Sequence, residues 1–308
     1  MKDSIKFKVA TMLLIAGIHL PLANGMVCVN KVEPSPKDKE LTQAFGINTG
    51  SRNFLLGYSC KKRADGFKPS GNSFSGLWIR AKEATGNWFW KGEGFFSLYL
   101  NNKNVLLEAP AELSLVAQGQ KGIIDAKWNT KMADAAVRFV FRDNDDRIFV
   151  EVQYIPKETI NTASVRLFNF APYPYNPKNK KEKIIDVKNI DTPKRTLTPA
   201  MLAHKTPLEA DENWLFYYTT SSTGFGPSAL LWKASEVKSA SHQPDNYTVL
   251  DFNEGVNKLH FVMWIFPSSI VWNQYLPEFK NSISEKTNKD LAEEDFQQAQ
   301  KISIGGGE

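Results

Sequence analysis

The chain has 308 residues, 42% hydrophobic and 12% aromatic, with a formal net charge of +5. That length carries a large core, as one big domain or two smaller ones. The mild, interspersed charge excludes a strong field for nucleic acid, and nothing in the composition asks for a cofactor.

Lys2, Lys6 and Lys8 open the chain, an apolar run follows from Val9 to Leu22, and Ala23-Asn24-Gly25 closes it with small residues. This is the layout of a secretory signal peptide cleaved after Gly25, so a secreted or periplasmic location is expected. The run is shorter than the roughly 20 residues that span a bilayer, and His19 and Pro21 interrupt it. A retained anchor is the main alternative, and lipidation at Cys28 a lesser one. No later run reaches spanning length, so no membrane span is expected after cleavage. Cys28 and Cys60 are the two cysteines. In an oxidising compartment they are expected to form a disulfide that pins the N-terminal arm.

Residues 26–50 are polar and marked by Pro34 and Pro36, and predict an extended arm. A β-sandwich domain is expected over 51–284, and a helix with a frayed tail over 285–308. Ser75–Ala81, Asn87–Trp90, Gly94–Leu100 and Val105–Leu107 read as strands, with a tight polar turn over residues 101–104. The clearest hairpin runs up through Ala136–Phe141, turns at residues 143–146 and returns through Arg147–Tyr154. Val137, Phe139 and Phe141 share one face, as do Ile148, Val150, Val152 and Tyr154. Asn and Asp tolerate the left-handed backbone such turns need.

Ala163–Phe170 continues the pattern, and prolines make residues 171–183 a loop. Strands resume at Trp214–Thr219, Ala229–Lys233, Tyr247–Phe252 and Lys258–Phe266, the last apolar enough to be buried on both faces. Thr287 with Asp290 reads as a helix-capping pair before Leu291, Phe296 and Ala299. A short helix over Ser269–Tyr275, stopped by Pro277, is also expected. The fold class is therefore all-β: a large antiparallel sandwich with a short C-terminal helix.

No metal-ligand, nucleophile or nucleotide motif is present. His204 sits in a Pro-flanked loop and is the candidate general acid or base, with Glu209, Asp211 and Glu212 as carboxylate partners. The bland alternative is a surface histidine. His260 lies in the buried strand, where a satisfied core histidine is expected, and His242 falls in a polar turn. Asp143, Asp145 and Asp146 lack the Gly and distal Glu of a calcium loop and read as a solvated turn. Lys178, Lys180, Lys181 and Lys183 form a short basic run beside Tyr173 and Tyr175.

Sugar rings stack on Trp and Tyr while their hydroxyls take polar side chains. Trp88, Trp90, Trp214, Tyr173 and Tyr175 are therefore the candidate ligand contacts, weighed against a core role for each.

The long strands, the polar turn from Asp143 to Arg147, and a following strand that ends in Asn169-Phe170-Ala171-Pro172 resemble the supersandwich of galactose-mutarotase-like proteins over about residues 50–280. The resemblance implies a sandwich that handles sugars. That family's catalytic His and Glu match no motif here, and none is transferred. Three functions stay open: a carbohydrate-associated protein binding a glycan on an aromatic surface, a glycan-active enzyme of epimerase or lyase type with a His/carboxylate site, and an envelope interaction module.

Overall fold

Three antiparallel sheets carry the chain in the computed structural model, which describes residues 27–34, 40–50, 53–61, 73–79, 88–89, 94–118, 120–168, 188–219, 228–244, 247–266 and 276–296. The expected signal peptide lies outside these residues, as do the 171–183 loop and the expected helix over Ser269–Tyr275.

The first five strands are β1 (Val27–Pro34), β2 (Glu40–Asn48), β3 (Asn53–Lys61), β4 (Ser73–Ile79) and β5 (Trp88–Phe89). They pair in sequence order as a meander. The segment expected as an extended arm is extended, but it is paired: β1 runs along the whole of β2. Pro34 falls at the last position of β1, where its missing N–H interrupts the ladder least.

Next come β6 (Phe96–Leu100), β7 (Lys103–Asn104), β8 (Glu112–Gln118), β9 (Lys121–Asn129), β10 (Ala133–Arg142), β11 (Arg147–Pro156) and β12 (Ala163–Phe168). Asn101 and Asn102 turn β6 into β7 with φ of 48° and 65°, the two left-handed residues a type I′ turn needs. Val105–Leu107 forms a 3-10 turn rather than the expected strand. The later elements are β13 (Lys188–Asp191), β14 (Thr196–Leu197), α1 (Pro199–Leu202), β15 (Thr206–Pro207), β16 (Trp214–Thr219), β17 (Ser228–Trp232), β18 (Val237–Gln243), β19 (Tyr247–Phe252), β20 (Lys258–Ile265) and α2 (Leu276–Glu293). His242 lies within β18 and is 2% exposed, so it is a buried strand residue and not part of a polar turn.

A nine-stranded sheet, β14-β13-β16-β17-β20-β11-β10-β9-β8, faces a six-stranded one, β15-β18-β19-β12-β6-β7. The all-β sandwich expected from the sequence is the observed fold. Period-2 alternation puts Val137, Phe139, Phe141, Ile148, Val150 and Val152 on one face of the nine-stranded sheet. They meet Phe96, Leu98, Leu100, Val165 and Leu167 of the other sheet. Phe96 stacks on Phe261 across the interface with ring centroids 6.4 Å apart. The first sheet closes one end, where Phe54 packs on Phe141 and Phe74 on Phe139. Each such buried ring is worth about 2–3 kcal/mol in area removed from water.

The outer face of the nine-stranded sheet is buried too. Phe149, Trp214, Phe216, Val262 and Phe266 form a second apolar cluster with Leu291 of α2 and with Phe296. This explains why β20 reads as apolar throughout. The helix is longer than expected and begins earlier. Pro277 stands in its first turn, where a missing N–H costs nothing. Thr287 is buried in mid-helix, where its Oγ1 accepts a hydrogen bond from Arg147, so it is not a cap. No helix among the described residues is long and apolar enough to cross a membrane.

The register of the N-terminal sheet sets the two cysteines of the expected disulfide apart. Cys28 pairs with Ile47 of β2 and Cys60 with Leu41. The two cysteines are on opposite sides of β2 and about 20 Å apart along it at 3.3–3.4 Å per residue. A disulfide needs Cα atoms about 4.4–6.8 Å apart.

Candidate functional site

Antiparallel register lines up one polar residue from each of four strands across the outer face of the nine-stranded sheet. Asp125 of β9 opposes Arg138 of β10, Arg138 opposes Glu151 of β11, and Glu151 opposes His260 of β20. Residues in such register bring their Cβ atoms about 4.5–5.5 Å apart, close enough for side-chain bonds along the row. A short 3-10 turn after β17 (Ala234–Glu236) adds Glu236 at the end of the row.

Each link is geometrically specific. Arg138 donates to both carboxylate oxygens of Asp125, Nε to Oδ1 and Nη2 to Oδ2, each at 2.5 Å. His260 is held from both sides: Nε2 is 2.8 Å from Glu151 Oε2, and Nδ1 is 2.9 Å from Glu236. The His260 backbone N–H donates to Glu236 as well, at 2.7 Å. Lys233 Nζ pairs with Glu236 at 3.0 Å.

With an acceptor at each ring nitrogen, the doubly protonated imidazolium satisfies both bonds and a neutral ring satisfies only one. Burial alone would push the His260 pKa down; the bonds and charges of Glu151 and Glu236 outweigh it and raise the value. Burial would likewise raise Glu236, but His260 and Lys233 hold it below the usual carboxylate range. The Asp125 bond raises the Arg138 guanidinium further still, against the cost of burial.

Beside this row lies a pocket of about 210 Å³, lined by Asp125, Lys127, Arg138, Glu151, Gln153 and Phe296 among others. Phe296 follows α2, and its ring centroid stands 4.7 Å from that of His260. An anchor just before it fixes this position: Glu294 is buried and pairs with Lys121 and with Arg142. The pocket thus joins an aromatic wall to paired donors and acceptors, the set that holds hydroxyl groups. Of the histidine and its two carboxylates, Glu151 lines the pocket, and His260 stands behind it at 2.8 Å. No cluster among the described residues has the make-up of a metal site.

The sequence candidates fall elsewhere. His204 is exposed just after α1, in a shallow depression of about 440 Å³ that it shares with Arg195, Met201 and Glu209. Glu209 and Asp211 both pair with Lys194, at 2.6 and 2.7 Å. Glu212 is buried and accepts from Arg195, Thr192 and the Glu209 N–H, which makes it a brace for the loop. Trp214 is 6% exposed, inside the cluster that contains Leu291. The side chain of Trp88 lies outside the described residues, as do Trp90, Tyr173, Tyr175 and the lysine run. Asp145 is taken up by Arg147, through Nε at 2.8 Å and Nη2 at 2.7 Å.

Asp125, Arg138, Glu151 and Glu236 were not singled out from the sequence. One signal pointed to two of them: counting back from the Asp143–Asp146 turn sets Arg138 opposite Glu151.

No family model matches the chain, and no curated protein does. Among solved structures it is similar to a TPR-domain containing protein from Parabacteroides distasonis, at 8% identity over 80% of this chain and 56% of that one, with a TM-score of 0.48. A putative aldose 1-epimerase from Klebsiella pneumoniae gives 8% identity over 88% and 93%, with a TM-score of 0.42. A GH36 alpha-galactosidase from Geobacillus stearothermophilus gives 10% over 77% and 41%, with a TM-score of 0.34. The chain thus spans little more than half of the first. With these three TM-scores below 0.5, the site is read from its own geometry.

Proposed function

We propose that this is an exported carbohydrate-associated protein that holds a single sugar ring in the pocket beside His260. One observation carries the reading: a histidine braced by two carboxylates flanks a pocket walled by Arg138, Glu151, Gln153 and Phe296. Phe296 offers a face for the C–H side of a pyranose, and the polar row offers both donors and acceptors for its hydroxyls. The pocket is smaller than the usual 300–1,000 Å³ of drug-sized sites, which suits one ring. Export rests on the charged, apolar and small-residue layout of residues 1–25.

The same geometry favours a catalytic form of this reading. Glu151 lines the pocket as a carboxylate base, and His260, 2.8 Å behind it, can exchange a proton with it, the kind of relay that ring opening uses.

The test is a glycan array on the purified chain lacking residues 1–25, with tryptophan fluorescence on each hit and polarimetry for turnover. Saturable binding that Arg138→Leu abolishes supports the pocket. Turnover lost in His260→Gln with binding kept supports catalysis. No binding across neutral and anionic glycans overturns the reading. Mass spectrometry of the exported protein locates the cleavage point.

A further inference from the structure

A larger concavity lies at one end of the sandwich, between the turn that joins β11 to β12 and the turn that joins β19 to β20. Its volume is about 850 Å³, four times that of the pocket beside His260.

Both walls are preformed. Asn101, with its left-handed backbone, staples the first turn: its Oδ1 accepts from the N–H groups of Asn161 and Thr162 at 2.8 and 3.3 Å, and its Nδ2 donates to the Thr159 carbonyl at 2.9 Å. The second turn is tied by Asn257, whose Nδ2 donates to the Tyr154 carbonyl at 3.1 Å while Tyr154 N–H donates back to the Asn257 carbonyl. Asn253 Nδ2 donates to the Ser235 carbonyl at 3.2 Å. Walls that are already ordered do not lose that freedom on binding.

The lining has a definite chemistry. Tyr154 is packed edge-on against Phe252 with centroids 5.5 Å apart. Tyr99 stands at the side with the Arg166 guanidinium 3.5 Å over its ring, which fixes the ring plane. Asn102, Asn161, Thr159, Thr162 and Ser164 supply amides and hydroxyls. Of the charged lining groups, Glu158, Asp251 and Glu254 are acidic and Lys238 is basic and paired with Glu254 at 2.7 Å, with Arg166 behind Tyr99 as a second cation. The groove is therefore locally negative although the chain as a whole carries +5. An anionic ligand is repelled here; a neutral ligand rich in hydroxyls finds matched partners and tyrosine rings. The volume takes several sugar rings rather than one.

We propose that this groove is a second carbohydrate site, taking a neutral chain of several sugar residues, independent of the pocket beside His260. Asn161 is exposed on the groove wall, so Asn161→Trp fills the groove without touching the core.

Isothermal titration calorimetry decides it, with neutral hexasaccharides of glucose, xylose and galactose as probes and hexagalacturonate as the anionic control. The proteins are wild type, Asn161→Trp, Tyr99→Ala and His260→Gln, each first matched to wild type in its thermal melt. At least one neutral hexasaccharide binds wild type, Asn161→Trp weakens it 10-fold or more, and hexagalacturonate binds more weakly than the neutral probe. Retained binding in His260→Gln sustains the groove even if the smaller pocket takes no sugar, and loss of binding in His260→Gln overturns the independence of the groove. Binding unchanged in Asn161→Trp, stronger binding of hexagalacturonate, or no binding of any neutral probe overturns the proposal. Should Tyr99→Ala not fold, Asn161→Trp carries the decision alone.

Discussion

Glu151 and His260 stand directly opposite each other on neighbouring strands, and their side chains meet at 2.8 Å on the outer face of the nine-stranded sheet. With Glu236 on the other ring nitrogen, the imidazole ties β11, β20 and the turn after β17 together. Breaking such a mostly buried set leaves two carboxylates without their shared donor.

The first prediction concerns pH. The folded pKa of His260 is raised above its ordinary 6.5, so its stabilisation is complete below about that pH and fades as pH rises through the folded value. Glu236 is held below its ordinary 4.5, so its contribution is present above that pH and fades as pH falls through the folded value. The triad therefore stabilises most between 4.5 and 6.5. His260→Gln should cost about 1–3 kcal/mol at pH 5.5 and clearly less at pH 9. Urea titrations of both proteins at the two pH values check this; a pH-independent difference would show that the charge of His260 contributes nothing.

Arg147 is the main tie between α2 and the sheet. It is 3% exposed, and its guanidinium reaches Asp145 at 2.7 Å, Asp290 at 2.6 Å and Thr287 at 3.3 Å. Arg147→Ala leaves Asp145 and Asp290 with only the more distant Arg142 guanidinium, 3.9 Å from Asp290, and should cost about 3–5 kcal/mol. Arg147→Lys should recover only part, because one ammonium cannot span both carboxylates as the planar fork does. Denaturant midpoints order the three proteins as wild type, Lys, Ala; equal midpoints for Lys and wild type would mean that the fork geometry is idle.

The sandwich was legible because its main hairpin alternates cleanly and its turn residues are ones that accept positive φ. Val137, Phe139 and Phe141 had to face one way once Asn144 and its neighbours were read as a turn. The candidate site was hidden for a related reason. Asp125, Arg138 and Glu151 occupy positions that a half-buried sheet gives to solvent, so they read as surface residues. Only the apolar cluster around Leu291 and Phe296 makes that face an interior one. Strand β9 escaped notice on the same account: residues 122–126 are buried on both faces, and Asp125 among them breaks the apolar run. The N-terminal hairpin was missed because prolines 34 and 36 suggested an unpaired arm, whereas Pro34 is only the last residue of its first strand.

Acid should attack a different brace. Glu212 is 1% exposed and sits at the centre of the loop after β15. Burial alone would raise its pKa, but Arg195, Thr192 and the Glu209 N–H together hold it low. Its stabilisation is present above its ordinary 4.5 and is lost as pH falls through the folded value. Glu212→Gln should cost about 1–3 kcal/mol near pH 7 and less near pH 3. Melting curves at both values test it, and a cost that grows on acidification would contradict the assignment.

Gly50 docks the N-terminal sheet onto the turn of the main hairpin. Its φ is +82°, and a Cβ there would stand 2.8 Å from Asn144 Oδ1. The contact is fixed by backbone: Asn144 N–H donates to the Thr49 carbonyl at 2.6 Å, and Thr49 Oγ1 donates to the Asp145 carbonyl at 3.2 Å. Gly50→Ala therefore combines two costs, a left-handed backbone and a clash, and should destabilise by about 1–3 kcal/mol. The two are separable. Asn144 itself has φ of 53°, so Asn144→Gly relaxes its own backbone and removes the clashing oxygen. In that background Gly50→Ala should cost about 1 kcal/mol, the backbone share alone. Thermal melts of the two single variants and the double variant give the coupling; strict additivity would place the whole cost in the backbone and none in the contact with Asn144.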